Sequence, residues 1–159
     1  MAENRIAASF TRIDELVATI LRPIAPLLTR IVIGQGFLQS GHGKWTDIEK
    51  VAGFFSSIGI PAPRANAYFI ATLEVVGGAC LLLGLGTRVF ALLLTATMVV
   101  ALMTADAEAF RAALAVNPEH GLLDVAPIPF LVCLLWLAAY GAGPVSVDHV
   151  ISRQRVPNP

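Results

Sequence analysis

Charge is scarce in this chain, and so is cysteine. Only 14% of its 159 residues are Asp, Glu, Lys or Arg, against about 25% in soluble domains. The basic and acidic residues cancel to a formal net charge of zero, which removes the basic footprint that a nucleic-acid partner needs. The two cysteines, Cys80 and Cys133, each sit inside an apolar run and form no CxxC or metal-type spacing. They read as small buried hydrophobes. A disulfide between them is disfavoured, because helical rise places Cys80 nearer one face of a membrane and Cys133 nearer its middle. No dinucleotide or P-loop glycine motif is present. The three histidines lie at or beyond the ends of the apolar runs, whereas a haem wants them within facing helices. The sequence thus carries no flavin, haem, nucleotide or metal motif. No inverted repeat or pair of broken helices marks a transporter.

Apolar residues dominate instead, at 56% of the chain and a mean hydropathy of +0.73. The expected fold is all-α: an integral membrane four-helix bundle forming a single membrane domain over 1–159. Spans are predicted at 24–41, 66–86, 89–105 and 125–140 from runs near the roughly 20 residues that a bilayer requires. The pivotal stretch is Ala71-Thr-Leu-Glu-Val-Val-Gly-Gly78. Glu74 lies near the middle of an otherwise apolar run, where a charged group costs about 2.5–3.5 kcal/mol on insertion scales. It must therefore face the bundle interior and find company there. Gly77 and Gly78 let a neighbouring helix come close.

Ile6, Phe10, Ile13, Val17 and Ile20 repeat at helical spacing, predicting an amphipathic helix over 1–22. It either lies on the membrane surface or packs on the bundle or a partner. Alternating charge and the want of a continuous apolar core argue against a cleavable leader. Pro23 and Pro26 are expected to break this helix from the first span. Gly41 and Gly43 are expected to end that span, with Trp45 as an interfacial anchor. Thr46-Asp47 reads as an N-cap for a short interfacial or re-entrant helix ending at Gly59 and Pro61, a lid on the outer mouth. Ala107 to Ala115 and the segment from Ser146 suggest further short helices. Arg5, Arg12, Arg22, Arg88, Arg153 and Arg155 would share one side. By the positive-inside rule, both termini and the tail 141–159 then lie in the cytoplasm.

An ordered series of short motifs resembles the DoxX-like family of small four-helix membrane proteins. Its first half is Arg30, Gly34-Gln-Gly-Phe37, Gly41-His-Gly-Lys44, Phe54-Phe55 and Gly59-Ile-Pro61. Its second is Glu74-Val-Val-Gly-Gly78, Leu82-Leu-Gly-Leu-Gly-Thr-Arg88, Gly141-Ala-Gly-Pro144 and Ser146-Val-Asp148. The resemblance covers about Arg30 to Asp148. It implies four membrane helices and a link to membrane redox chemistry, since relatives include DoxD/DoxX subunits of thiosulfate–quinone oxidoreductases. It carries over no catalytic residue set.

Two polar constellations stand out. Arg30, Gln35, Gln39 and Glu74 fall within spans, with Gln35 expected near the depth of Glu74. Arg30 either reaches toward Glu74 or snorkels to its own interface. With His42, sterically open between two glycines, these residues form the candidate site for a quinone head group. The competing reading makes them a structural clamp. At the outer mouth, His42, Lys44, Asp106, Glu108, His120 and Asp124 converge. His42, His120, Asp106 and Asp124 are weak metal candidates by ligand type, but solvated interfacial charge is the favoured account and no metal is expected. The leading expectation is a quinone-linked redox subunit of a bacterial inner membrane, surrounded by lipid and working with a protein partner or larger complex. The alternative is a non-enzymatic anchor or assembly subunit, with a small-solute transporter less favoured. Whether the chain is an enzyme by itself stays open.

Overall fold

The computed structural model describes residues 2–115 and 121–154. These form seven α-helices and one 3-10 turn, with no strand among the described residues. The first helix, α1 (Ala2–Thr46), runs unbroken through Pro23 and Pro26, so the expected break between a surface helix and the first span does not occur. Each proline removes one backbone hydrogen bond, but membrane helices tolerate this where neighbours hold the segment. Pro26 is buried and packs on Gly143, where an added Cβ would lie 2.9 Å from its ring. The side chains before Glu15 lie outside the described residues, and with them the predicted apolar face of Ile6, Phe10 and Ile13.

The second expected break also fails. α1 continues past Gly41 and Gly43 to Thr46, because Gly41 serves contact with the next long helix rather than a C-cap. α2 (Ile48–Ser57) starts at once, with Asp47 Oδ1 accepting from the Lys50 N–H at 3.3 Å. It ends in a Schellman turn: Ile60 N–H donates to Phe55 O and Gly59 N–H to Ser56 O. α3 (Pro63–Leu83) opens with proline at its first position, where no N–H is missed. α4 (Thr87–Met103) follows a tight turn, and α5 (Ala107–Leu114) leaves it at a 78° bend. The 3-10 turn Leu122–Asp124 leads to α6 (Pro127–Tyr140), and α7 (Val147–Gln154) ends the described chain.

Four helices pack in a cycle: α1 on α3, α3 on α4, α4 on α6 and α6 on α1. They enclose a core of Ile33, Phe37, Leu81, Ala91, Leu94, Leu134 and Leu137. Their outer faces are also apolar: Val32 is 66% exposed, Leu92 57% and Val132 63%. Such a surface belongs in lipid rather than water. The 32-residue stretch Glu15–Thr46 and α3 are long and apolar enough to cross a membrane, and α4 with α5 makes a third candidate if the bent pair is one span. The 14-residue α6 rises about 21 Å.

The α1–α3 pairing sets the register. A Cβ on Gly34 would sit 2.8 Å from Gly78 O, and one on Gly78 would sit 2.7 Å from Gly34 O. One turn pair further on, a Cβ on Gly41 would sit 2.8 Å from Val75 N. Backbone therefore meets backbone at both levels. Gly78→Ala should lower stability by about 1–3 kcal/mol through overpacking, read as thermal unfolding in mild detergent. Gly53→Ala, where a Cβ meets nothing within 4 Å, should instead stabilise α2 by up to about 1 kcal/mol.

Candidate functional site: a lysine–glutamate pair in an apolar cleft

Antiparallel to α1, α3 brings Glu74 to the level of Leu38–Gly41 rather than Gln35, following the glycine contacts. Glu74 is 2% exposed. Lys44, one further turn along α1, reaches back so that Nζ donates to Glu74 Oε2 and to Ser40 Oγ, both at 2.6 Å. Ser40 and Lys44 are four apart and share a helix face. Glycine preference ends the helix at Gly41 and so hides this pairing; the four-residue spacing of Ser40 and Lys44 is the sequence signal for it once the helix continues to Thr46.

Ser40, Lys44 and Glu74 line a cavity of about 890 Å³ between α2, α3 and α4. α3 and α4 are joined at one end by the Gly84–Gly86 turn, and α2 packs on α3 rather than on α4. Glu74 from α3, Leu93 and Ala105 from α4, and Ile60 and Asn66 from the α2–α3 region all line it. Phe54, Phe55, Phe69, Ile70, Leu73 and Met98 make its walls apolar. The volume falls in the range of small-molecule sites, about 300–1,000 Å³. An ammonium, a carboxylate and a hydroxyl grouped on the wall of an apolar cavity suit a molecule with a small polar head and a greasy body.

The remaining expected site residues lie elsewhere. Gln35, Gln39 and His42 are exposed on the outer side of α1 and do not line the cavity. Arg30 neither approaches Glu74 nor snorkels. It is buried at the opposite end, where Nη1 donates to Ala142 O at 2.6 Å and Nη2 to Val145 O at 2.8 Å. Asp148 completes this clasp: its carboxylate accepts from Gly86 N–H at 2.7 Å and Thr87 N–H at 2.9 Å, and its own N–H donates to Gly84 O at 2.9 Å. The α4 N-terminus is thus capped from 61–62 residues away in sequence, by a side chain whose local sequence shows only a short helix and a family motif. Gly84 is required twice, by φ +68° and because a Cβ there would meet Arg30 Nη1 at 2.5 Å. Among the outer-mouth residues, Asp124 Oδ2 accepts from Gly121 N–H at 2.7 Å and His120 lies outside the described residues. No group of three or more His, Cys, Asp or Glu side chains able to hold a metal occurs among the described residues. Cys80 and Cys133 are free thiols, each half-buried.

Apolar outer faces around a buried carboxylate and its half-buried lysine partner define an α-helical membrane protein with a polar site in its helix bundle. Comparison with known proteins gives its family. The DoxX family model matches residues 25–107. A Bacillus subtilis (strain 168) protein named "Putative oxidoreductase CatD" is 36% identical over 86 residues, 54% of this chain and 63% of that protein. The chain thus spans less than two thirds of CatD. A Mycobacterium tuberculosis (strain ATCC 25618 / H37Rv) protein named "Uncharacterized membrane protein Rv3486" is 31% identical over 137 residues, 83% of this chain and 84% of that one. No solved structure matches. The chain belongs to the DoxX family.

Removing Lys44 alone strands a buried carboxylate. Lys44→Ala should cost on the order of 3 kcal/mol in detergent thermal unfolding, while Lys44→Met/Glu74→Met should recover most of that loss. At the other end, Asp148→Ala orphans two backbone N–H groups and should cost about 1–3 kcal/mol. Asp148→Asn, which keeps one acceptor, should cost less in the same measurement.

Proposed function

We propose that this DoxX protein is the quinone-binding subunit of a redox system in a bacterial inner membrane. The observation that carries the reading is the apolar cavity with Lys44 and Glu74 on its wall. A quinone ring carbonyl would accept from Lys44 Nζ, a quinol hydroxyl would donate to Glu74, and the isoprenoid tail would lie along Phe54, Phe69 and Met98. Because the cavity lining omits Gln35, Gln39, His42 and Arg30, the proposed ligand set narrows to Glu74, Lys44 and Ser40. The similarity to a protein named as an oxidoreductase supports the redox assignment. The sequence offers no electron carrier of its own, so the two electrons that reduce a quinone would arrive from a partner subunit.

In this reading α1, α3, α4 and α6 are the four spans of a membrane bundle, and α2 and α5 lie at its outer interface. Both termini face the cytoplasm, where Arg88 and the arginines of the N- and C-terminal segments gather. Quinone content tests the proposal. The protein, taken into nanodiscs that contain quinone and washed, should retain it at near-stoichiometric level by solvent extraction and mass spectrometry. Lys44→Met/Glu74→Met should retain about tenfold less, the worth of one charge-assisted hydrogen bond. A folded wild type that takes up no quinone overturns the reading. If that protein also recovers a stoichiometric partner, it is an anchor or assembly subunit instead.

A further inference from the structure

The inward faces of α1 are fully used. Gly34, Leu38 and Gly41 meet α3, while Gly36 and Phe37 meet Phe130 of α6. The outward face carries Leu21, Leu28, Val32, Gln35, Gln39, His42 and Thr46, all exposed. From Leu28 these positions alternate by four and three residues, the spacing of a heptad seam. With α3 crossing the membrane, Gln35 and Gln39 sit within the hydrocarbon, since they lie between Gly34, level with Gly78, and Gly41, level with Ala71 and Val75.

Polar groups that face lipid elsewhere on the fold satisfy themselves. Thr72 is exposed on α3, and its hydroxyl donates to Tyr68 O of its own helix at 2.7 Å. A glutamine amide has two donors and a carbonyl, and hydrocarbon offers none of them a partner. Two such amides one turn apart, on a seam that is Leu and Val below them and reaches His42 and Thr46 only at its outer end, mark a helix–helix contact.

We propose that this seam is the interface of a homodimer, two copies pairing in parallel through α1. A second copy fits for a chemical reason. An amide both donates and accepts, so across a two-fold axis along the membrane normal Gln35 meets Gln35 and Gln39 meets Gln39 with complementary groups. The seam carries no Asp, Glu, Lys or Arg from Leu21 to Thr46, so like charges do not oppose the pairing. All copies insert with one orientation, which sets both helices parallel and each glutamine at the same depth as its mate. This inference rests on α1 crossing the membrane and is independent of the quinone reading.

Cross-linking in native membranes tests it. In a Cys80→Ser/Cys133→Ser background, Val32→Cys places a thiol on the seam and Leu92→Cys places one on the exposed face of α4. Mild oxidation should convert Val32→Cys to a species of twice the chain mass and leave Leu92→Cys monomeric. Adding Gln35→Leu/Gln39→Leu should slow the Val32→Cys cross-link roughly tenfold, each amide pair contributing about threefold; leucines on a lipid face leave the fold intact. The proposal is overturned if Val32→Cys stays monomeric, if Leu92→Cys cross-links equally, if the product has another mass, or if the leucine substitutions leave the rate unchanged.

Discussion

Everything in this fold hangs on how closely α1 and α3 approach. At Gly34 and Gly78 each backbone carbonyl occupies the space where the other residue's Cβ would be. In lipid no hydrophobic force drives helices together, and close van der Waals contact of small residues must do it. That contact fixes the vertical register of the two helices. The register brings Lys44 within reach of Glu74 and leaves Gln35 and Gln39 facing outward. With α3 bound to α1 on one side and to α2 near its start, α4 meets it closely only toward the tight turn, and a cavity opens beyond.

The two buried charged clusters do different jobs. Arg30 sits where α6 has ended at Gly141, whose φ of +82° turns the chain away from helix. The loop carbonyls of Ala142 and Val145 have left the helical ladder, and the guanidinium supplies their donors. Asp148 does the converse for the N–H groups that open α4. This clasp is a solution to unmet backbone hydrogen bonds, which a membrane protein cannot leave to water. Lys44 and Glu74 satisfy no backbone group. They satisfy each other and Ser40, beside empty volume.

Much of this was legible from composition and spacing. Helices α3, α4 and α6 lie on three of the four apolar runs, whereas α1 runs past the first at both ends; Asp47, Gly59 and Gly141 mark starts and stops by local chemistry that tertiary structure did not override. The errors share one cause. Pro23, Pro26, Gly41 and Gly43 were read as breakers by their intrinsic preferences, yet in α1 two of them are committed to neighbours. Pro26 packs on Gly143 and Gly41 on Val75. A residue's propensity is a weak prior once a partner occupies its face. Misplacing the end of α1 then shifted the depth estimate, which put Gln35 beside Glu74 and hid Lys44. The Arg30–Asp148 clasp was beyond spacing arguments altogether, because its halves are more than 100 residues apart and meet only after the bundle closes.

The ion pair beside the cavity is the costlier of the two arrangements to maintain. Taking the Glu74 carboxylate out of water, with Lys44 only partly withdrawn from it, carries a penalty that their mutual attraction does not reliably return, and well-packed apolar side chains of similar volume commonly match or exceed such a pair in stability. Here the apolar substitute would also fill part of the cavity. A fold selected for stability alone would have closed this space, as it has closed the core around Leu81, Leu94 and Leu134, each with no exposed surface. Holding a carboxylate and an ammonium 2.6 Å apart on the wall of an open apolar volume makes physical sense when a third polar group intermittently joins them. That is why the charged residues of this cleft, rather than the more numerous ones at the ends of the helices, carry the functional proposal.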